Sequence, residues 1–192
     1  MKSVLLSTRP KWCEKICHEI GKDENGKLIY EKRIEVRKTA PKEVPFKVLI
    51  YCSYGNDREN YMLGKRGKVI GEFVCDRITD ISVVVRNCNE DYNHVYHNDE
   101  CKSSCLTWKE LQEYGKGKTL YGWHISDLKI YDKPKELSEF RKPFTPKKLD
   151  IRKFITKNGI NNIAPDFKSK YDFCDKITRP PQSWCYVESL GE

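Results

Sequence analysis

No apolar run in this 192-residue sequence approaches the length needed to cross a bilayer, which excludes a helical membrane span and leaves no membrane partner to expect. The opening residues Met1 to Ser7 are too short an apolar stretch for the hydrophobic region of a signal peptide, so a cytoplasmic location is expected. A glycine-rich phosphate loop, a Ser-His-Asp constellation and a paired-carboxylate signature are all missing, and with them the common templates for phosphate capture and hydrolysis. No internal repeat is present, which excludes a repeat array. Cysteine, by contrast, is plentiful. Nine of them run from Cys13 to Cys185, and an odd number without an export signal points to reduced thiols rather than a disulfide framework.

The composition is 38% hydrophobic and 33% charged, with a formal net charge of +8. It fits one soluble globular domain over residues 1–192, with enough apolar residues for a true core. The cationic excess favours polyanionic partners, although net charge governs encounter and solubility rather than fixing a function.

The most informative stretch runs from Glu31 to Lys38. Ile34 and Val36 share one face of a strand, while Arg33, Glu35 and Arg37 share the other, because side chains alternate along extended chain. Such a polar row needs either open water or a polar guest. Upstream, Arg9-Pro10 reads as a helix start, proline being suited to the first helical position. Trp12, Cys13, Ile16, Cys17 and Ile20 follow at helical spacing, which makes Trp12 an expected core anchor and Cys13 and Cys17 small hydrophobes rather than nucleophiles.

Further strands are expected at residues 46–52, 69–75 and 78–85, with a polar loop over 53–68. Thr107 and Glu110 match a capping box, predicting a helix through Leu111 and Tyr114 that ends at Gly115. Thr119 to Tyr131 reads as one long strand in which Gly122 permits a bulge or a close backbone approach. Trp184 to Val187 supplies a last strand. Between them, residues 133–153 hold eight lysines or arginines against three acids, a net of +5. Its prolines suggest a short helix followed by extended chain, either a solvated loop or a phosphate-tracking edge with Phe140 and Phe144 as stacking or packing groups. A protein-docking role for this basic segment is the third class of function considered.

Cys88, His94, His97, Cys101 and Cys105 gather zinc-type ligands in one stretch, but their spacing is not a common paired-cysteine pattern and Cys105 closely precedes the Thr107 cap. No metal site and no cofactor are therefore expected. The His124 ring either faces a cleft or satisfies a core carbonyl.

Several of these segments together resemble the ASCH family, a branch of the PUA-like β-barrels that also contains nucleic-acid-binding modules. They are Arg9-Pro10-Lys11-Trp12, Lys32 with Glu35-Val36-Arg37, Gly67 to Phe73, Tyr121 to Leu128, and Pro180 to Trp184. The resemblance implies an α+β chain built as a small, mostly antiparallel β-barrel with short flanking helices. Residues 21–30, 86–104 and 141–175 stand out as insertions. It also implies that Lys32, Glu35 and Arg37 line a cleft for RNA or a modified nucleotide, with Lys38, Tyr51, Ser53, Trp123 and His124 as further nucleic-acid contacts.

One bacterial branch that looks related removes the acyl group from acetylated cytidine with a lysine, a threonine and a glutamate. Here Glu35 stands three residues after Lys32, where that branch has its threonine, and Tyr30 replaces a glycine two residues before the lysine. Binding is accordingly the first expectation. Hydrolysis of a modified nucleoside by Lys32 and Glu35 is the alternative.

Overall fold

The computed structural model describes residues 1–55, 61–81, 99–143 and 176–188. A five-stranded sheet has the order β10-β1-β5-β6-β9, made from β1 (Lys2–Thr8), β5 (Phe46–Cys52), β6 (Lys68–Cys75), β9 (Ser126–Glu136) and β10 (Trp184–Val187). Only β1 and β5 run parallel in it; the other pairs are antiparallel. A second sheet joins β4 (Ile34–Arg37), β8 (Tyr121–His124) and β7 (Ile78–Asp80), and β2 (Glu19–Lys22) pairs with β3 (Leu28–Tyr30) in a separate, largely exposed hairpin. Helices α1 (Pro10–Cys17), α2 (Asp99–Ser104) and α3 (Trp108–Gly115) complete the described elements. The expected α+β, mostly antiparallel architecture is present, but the barrel is not closed: among the described residues the two larger sheets share no strand-to-strand pairing.

The corner between those sheets corrects the expected long strand over residues 119–131. The chain leaves the small sheet at His124 and re-enters the large one at Ser126, and Asp127 takes φ 46°. One extended pattern thus serves two sheets, a change of partner that alternation cannot register. Gly122 does mark a close approach, since a Cβ there would lie 2.6 Å from Ile81 Cδ1 and 2.9 Å from Thr79 Oγ1. Strand β9 also runs on through Lys133-Pro134-Lys135-Glu136, where a short helix was expected. Proline is tolerated because β9 is an edge strand, with a free side that needs no N–H. A short 3-10 turn (Leu137–Glu139) follows, and Phe140 is fully buried, a packing group; Phe144 lies outside the described residues.

Three apolar clusters hold these layers. Val4, Leu6, Phe46, Val48, Ile50 and Phe73 of the large sheet pack with Cys13 and Ile16 of α1 and with Trp123 of β8. Leu5, Leu49, Tyr51 and Val69 face the opposite way, against Phe140, Ile177 and Val187. Ile34, Val36 and Leu120 pack with Cys101 of α2 and Leu111 of α3. Among the described residues no helix is long and apolar enough to cross a membrane.

The capping box at Thr107 and Glu110 forms as expected. Its far end differs. Gly115 is the last helical residue, and a Cβ there would press on Leu120 at 3.2 Å, whereas Lys116 carries the left-handed conformation at φ 49°. Left-handed backbone costs a residue with a Cβ about 1–2 kcal/mol, partly offset by the unfolded-chain freedom of glycine. Lys116→Gly is therefore expected to stabilise the protein by roughly 0.5–1 kcal/mol; a lower midpoint in urea unfolding would contradict this account of the helix end.

Candidate functional site

The segment entering β4 is tied down from three sides by its own backbone. Glu31 N–H donates to the His18 carbonyl at 2.9 Å and Lys32 N–H to the Lys15 carbonyl at 3.0 Å, fastening it to the end of α1. Arg33 N–H donates to the Ser103 carbonyl at 2.8 Å, fastening it to α2, and the Arg33 carbonyl receives Ile125 N–H at 2.9 Å. The Glu31 carboxylate reinforces the first tie by pairing with Lys15 and with His18 Nδ1, and the Lys15 ammonium holds its pKa below the usual carboxylate value. With both neighbours anchored, the Lys32 side chain has one way to go, inward.

Lys32 is only 1% exposed, and Glu35 only 4%. Glu35 and Arg37 thus do not form a solvated strand face, and Arg33, expected to share that face, instead precedes β4 and is exposed on the other side of the sheet beside Ile34 and His124. Lys32 Nζ donates to the Ser104 carbonyl at 2.5 Å, sits 3.4 Å from Glu35 Oε2, and lies 5.1 Å from the centre of the Trp12 ring. Glu35 Oε1 in turn receives Arg37 Nη2 at 2.8 Å. The same Nη2 reaches the Ser7 carbonyl at 2.7 Å and Thr8 Oγ1 at 3.3 Å, at the carboxyl end of β1. One carboxylate therefore bridges two cations in a water-poor setting. Burial pushes the Lys32 pKa down from its ordinary value, and the charge of Glu35 works against that shift.

Three buried polar atoms here lack a hydrogen-bond partner among the described residues: Glu35 Oε2, Arg37 Nε and Trp123 Nε1. Trp123 sits directly across from Glu35 in the β4–β8 register, so all three residues lie on one face of the small sheet. The set comprises one acceptor and two donors.

Trp12 is half-buried rather than a core anchor; its ring lies near the ammonium groups of both Lys32 and Lys11, a cation–π arrangement. Ser53 stands close by, its N–H donating to the Thr8 carbonyl at 2.9 Å. Trp123 is fully buried, its ring meeting Phe46 edge-on at 5.2 Å and Trp184 at 5.8 Å. The remaining expected residues are elsewhere. Tyr51 belongs to the cluster on the opposite face of the large sheet, Lys38 Nζ lies 4.8 Å from the centre of the Tyr114 ring of α3, and His124 faces the other side of the small sheet.

The carbonyls of Ser7 and Ser104 and the Thr8 hydroxyl escaped sequence reasoning, because a carbonyl carries no sequence signal and Ser104 is 72 residues from Lys32. Of the zinc-type residues, Cys88, His94 and His97 lie outside the described residues. Cys101 is buried in the third cluster and Cys105 Sγ donates to the Glu31 carbonyl at 3.3 Å. The seven described cysteines are all free thiols.

This is the architecture of a strand-rich α+β domain in which the carboxyl end of β1 and helix α1 lie against a buried charged cluster. It is similar to the crystal structure of ASCH from Zymomonas mobilis, with a TM-score of 0.51 at 16% sequence identity, covering 98% of this chain and 89% of that one. A single-substitution mutant of the same protein aligns with a TM-score of 0.50 at 16% identity, covering 98% of this chain and 92% of that one. No protein-family model matches the sequence, and no curated protein matches it either. The chain has an ASCH-like fold.

Proposed function

We propose that the protein is a nucleic-acid-binding module, taking RNA or a modified nucleotide at the face formed by Lys32, Glu35 and Arg37. The observation that carries this reading is that Arg37 Nε and Trp123 Nε1 lack a hydrogen-bond partner among the described residues, and that Glu35 Oε2, though 3.4 Å from the Lys32 ammonium, also makes no hydrogen bond. Buried polar atoms are normally paired, and leaving them unmade costs about 1–3 kcal/mol each. These atoms are buried, so a guest reaches them as the covering side chains move aside; it then donates to the carboxylate and accepts from the two N–H groups, and the hydrogen-bonding edge of a nucleobase presents both kinds of group. Arg9 is exposed and Lys11 half-exposed beside this face, the placement expected of residues that meet a phosphate backbone. Tyr51, Lys38 and His124 do not share the face and enter this reading only as outlying contacts.

Arg37→Lys keeps the charge and removes the fork, and is expected to weaken binding of a fluorescently labelled single-stranded RNA by about tenfold, the effect of losing one charge-assisted hydrogen bond. Arg9→Ala should leave stability unchanged and flatten the dependence of affinity on salt. Unchanged affinity of Arg37→Lys for every RNA and modified nucleoside in the panel would sink the proposal.

A second reading has its own support. A buried lysine with a depressed pKa, 3.4 Å from a carboxylate, is an acid–base pair of the kind that could hydrolyse the acyl amide of a modified nucleoside. Turnover of acetylated cytidine that disappears in Lys32→Met would favour it over simple binding.

A further inference from the structure

On the other side of the small sheet a polar cavity of about 740 Å³ opens where β4 begins, β8 ends and α2 begins. Its size falls within the range of small-molecule sites. Arg33, Arg77, Asp76, Asp99, Ser103 and His124 line it. Arg33 is exposed, and its guanidinium makes no hydrogen bond or ion pair among the described residues. Arg77 is oriented: its Nη2 lies 3.0 Å from His124 Nδ1, and His124 Nε2 lies 3.4 Å from Thr79 Oγ1. Arginine can only donate, so Nδ1 accepts and the proton is on Nε2, which donates to Thr79. A neutral imidazole therefore steers one guanidinium without adding a charge. Asp76 Oδ2 accepts from Ser126 Oγ at 2.6 Å, which fixes that carboxylate as well.

We propose that this cavity is a second ligand site, separate from the Lys32 face, and that it takes a phosphorylated nucleoside. The lining sets the class. Two guanidiniums match the two negative charges and several oxygens of one phosphate group, since each can offer paired N–H donors. Two carboxylates then require donors from the same ligand, which ribose hydroxyls and an exocyclic amine supply. An α-amino acid offers one carboxylate and one ammonium, and leaves an arginine and an aspartate unmatched. Inorganic phosphate satisfies the arginines and is repelled by the aspartates. The phosphate could belong to a free mononucleotide or to a strand of RNA, and this inference does not depend on what the Lys32 face binds.

The test titrates the full chain with adenosine and cytidine 5′-monophosphates, a short single-stranded oligoribonucleotide, inorganic phosphate and glutamate, following the His124 ring resonance by NMR. That resonance is identified by its disappearance in His124→Gln. Saturable binding of a mononucleotide that shifts it, weakened at least tenfold in the Arg33→Ala/Arg77→Ala double variant, is the expected result and indicates a free ligand. The same loss seen with the oligoribonucleotide alone supports the site with RNA as the source. Because both arginines are exposed, the double variant should keep the parent circular-dichroism spectrum and melting point. Should it fail to fold, the salt-matched charge reversal Arg33→Glu alone provides the same reading. Failure of every nucleotide to move the His124 resonance overturns the proposal, as does equal binding by inorganic phosphate or glutamate, or nucleotide binding indifferent to both arginines.

Discussion

Glu35→Ala is expected to lower the free energy of unfolding by about 3–5 kcal/mol, the usual consequence of removing one partner from a buried ionic set. Glu35 touches both Lys32 and Arg37, and without it two cations remain in a site that excludes water. The variant should also carry a distinctive pH signature. The folded-state pKa of Lys32 already lies below its ordinary value, so between the two pKa values the unfolded chain holds a proton that the native chain has released. Stability then rises with pH across that window. Deleting Glu35 removes the charge that holds the lysine pKa up, which widens the window toward neutral pH. Urea unfolding of both proteins from pH 7 to 10 should show the variant regaining part of its deficit as pH rises. A deficit that stays constant, or a loss below 1 kcal/mol, would mean that the carboxylate is not the element neutralising this cluster.

Trp123→Ala is expected to cost a similar amount, about 3–5 kcal/mol, for a different reason: a large side chain with no exposed surface leaves a cavity between the two sheets. Its ring meets Phe46 on the large sheet and Trp184 on the edge strand, so the loss falls on the contact that joins the layers. Trp123→Phe should recover part of the stability while removing Nε1, one of the two unpartnered donors. If nucleotide affinity falls in Trp123→Phe while the fold holds, the donor contributes to recognition. If Trp123→Ala proves as stable as the parent, the ring is not a core group, and the expectation of Trp123 as a direct nucleic-acid contact regains its place.

The local signals were legible where a residue type has few uses. Pro10 opens α1, Thr107 and Glu110 form their capping box, and Gly122 sits where three strands converge. They failed where the answer depended on a partner. Thr119 to Tyr131 carries one continuous strand pattern, yet β8 and β9 belong to different sheets, because alternation records which side of the chain is buried and not which strand lies alongside. The same limit misplaced Trp12. Helical spacing identifies the stripe that faces the core but not that Trp12 lies at its margin, over the ammonium of Lys32.

What the sequence by itself determined is strands β5, β6 and β10, the starts of α1 and α3, and the charged row of Glu35 and Arg37 on one strand face, since these follow from short-range sterics and alternation within a single segment. Only the tertiary structure decided that the row is buried. That outcome rests on the backbone ties to Lys15, His18 and Ser103, which drive Lys32 inward, and on the carbonyl of Ser104, which receives it. It also separated Tyr51 and Lys38 from the cluster, because Tyr51 packs in the cluster with Phe140 on the far face of the large sheet and Lys38, just past the end of β4, lies over the Tyr114 ring of α3. A charged row can be read from one strand; whether water or protein stands against it is set by segments up to 72 residues away.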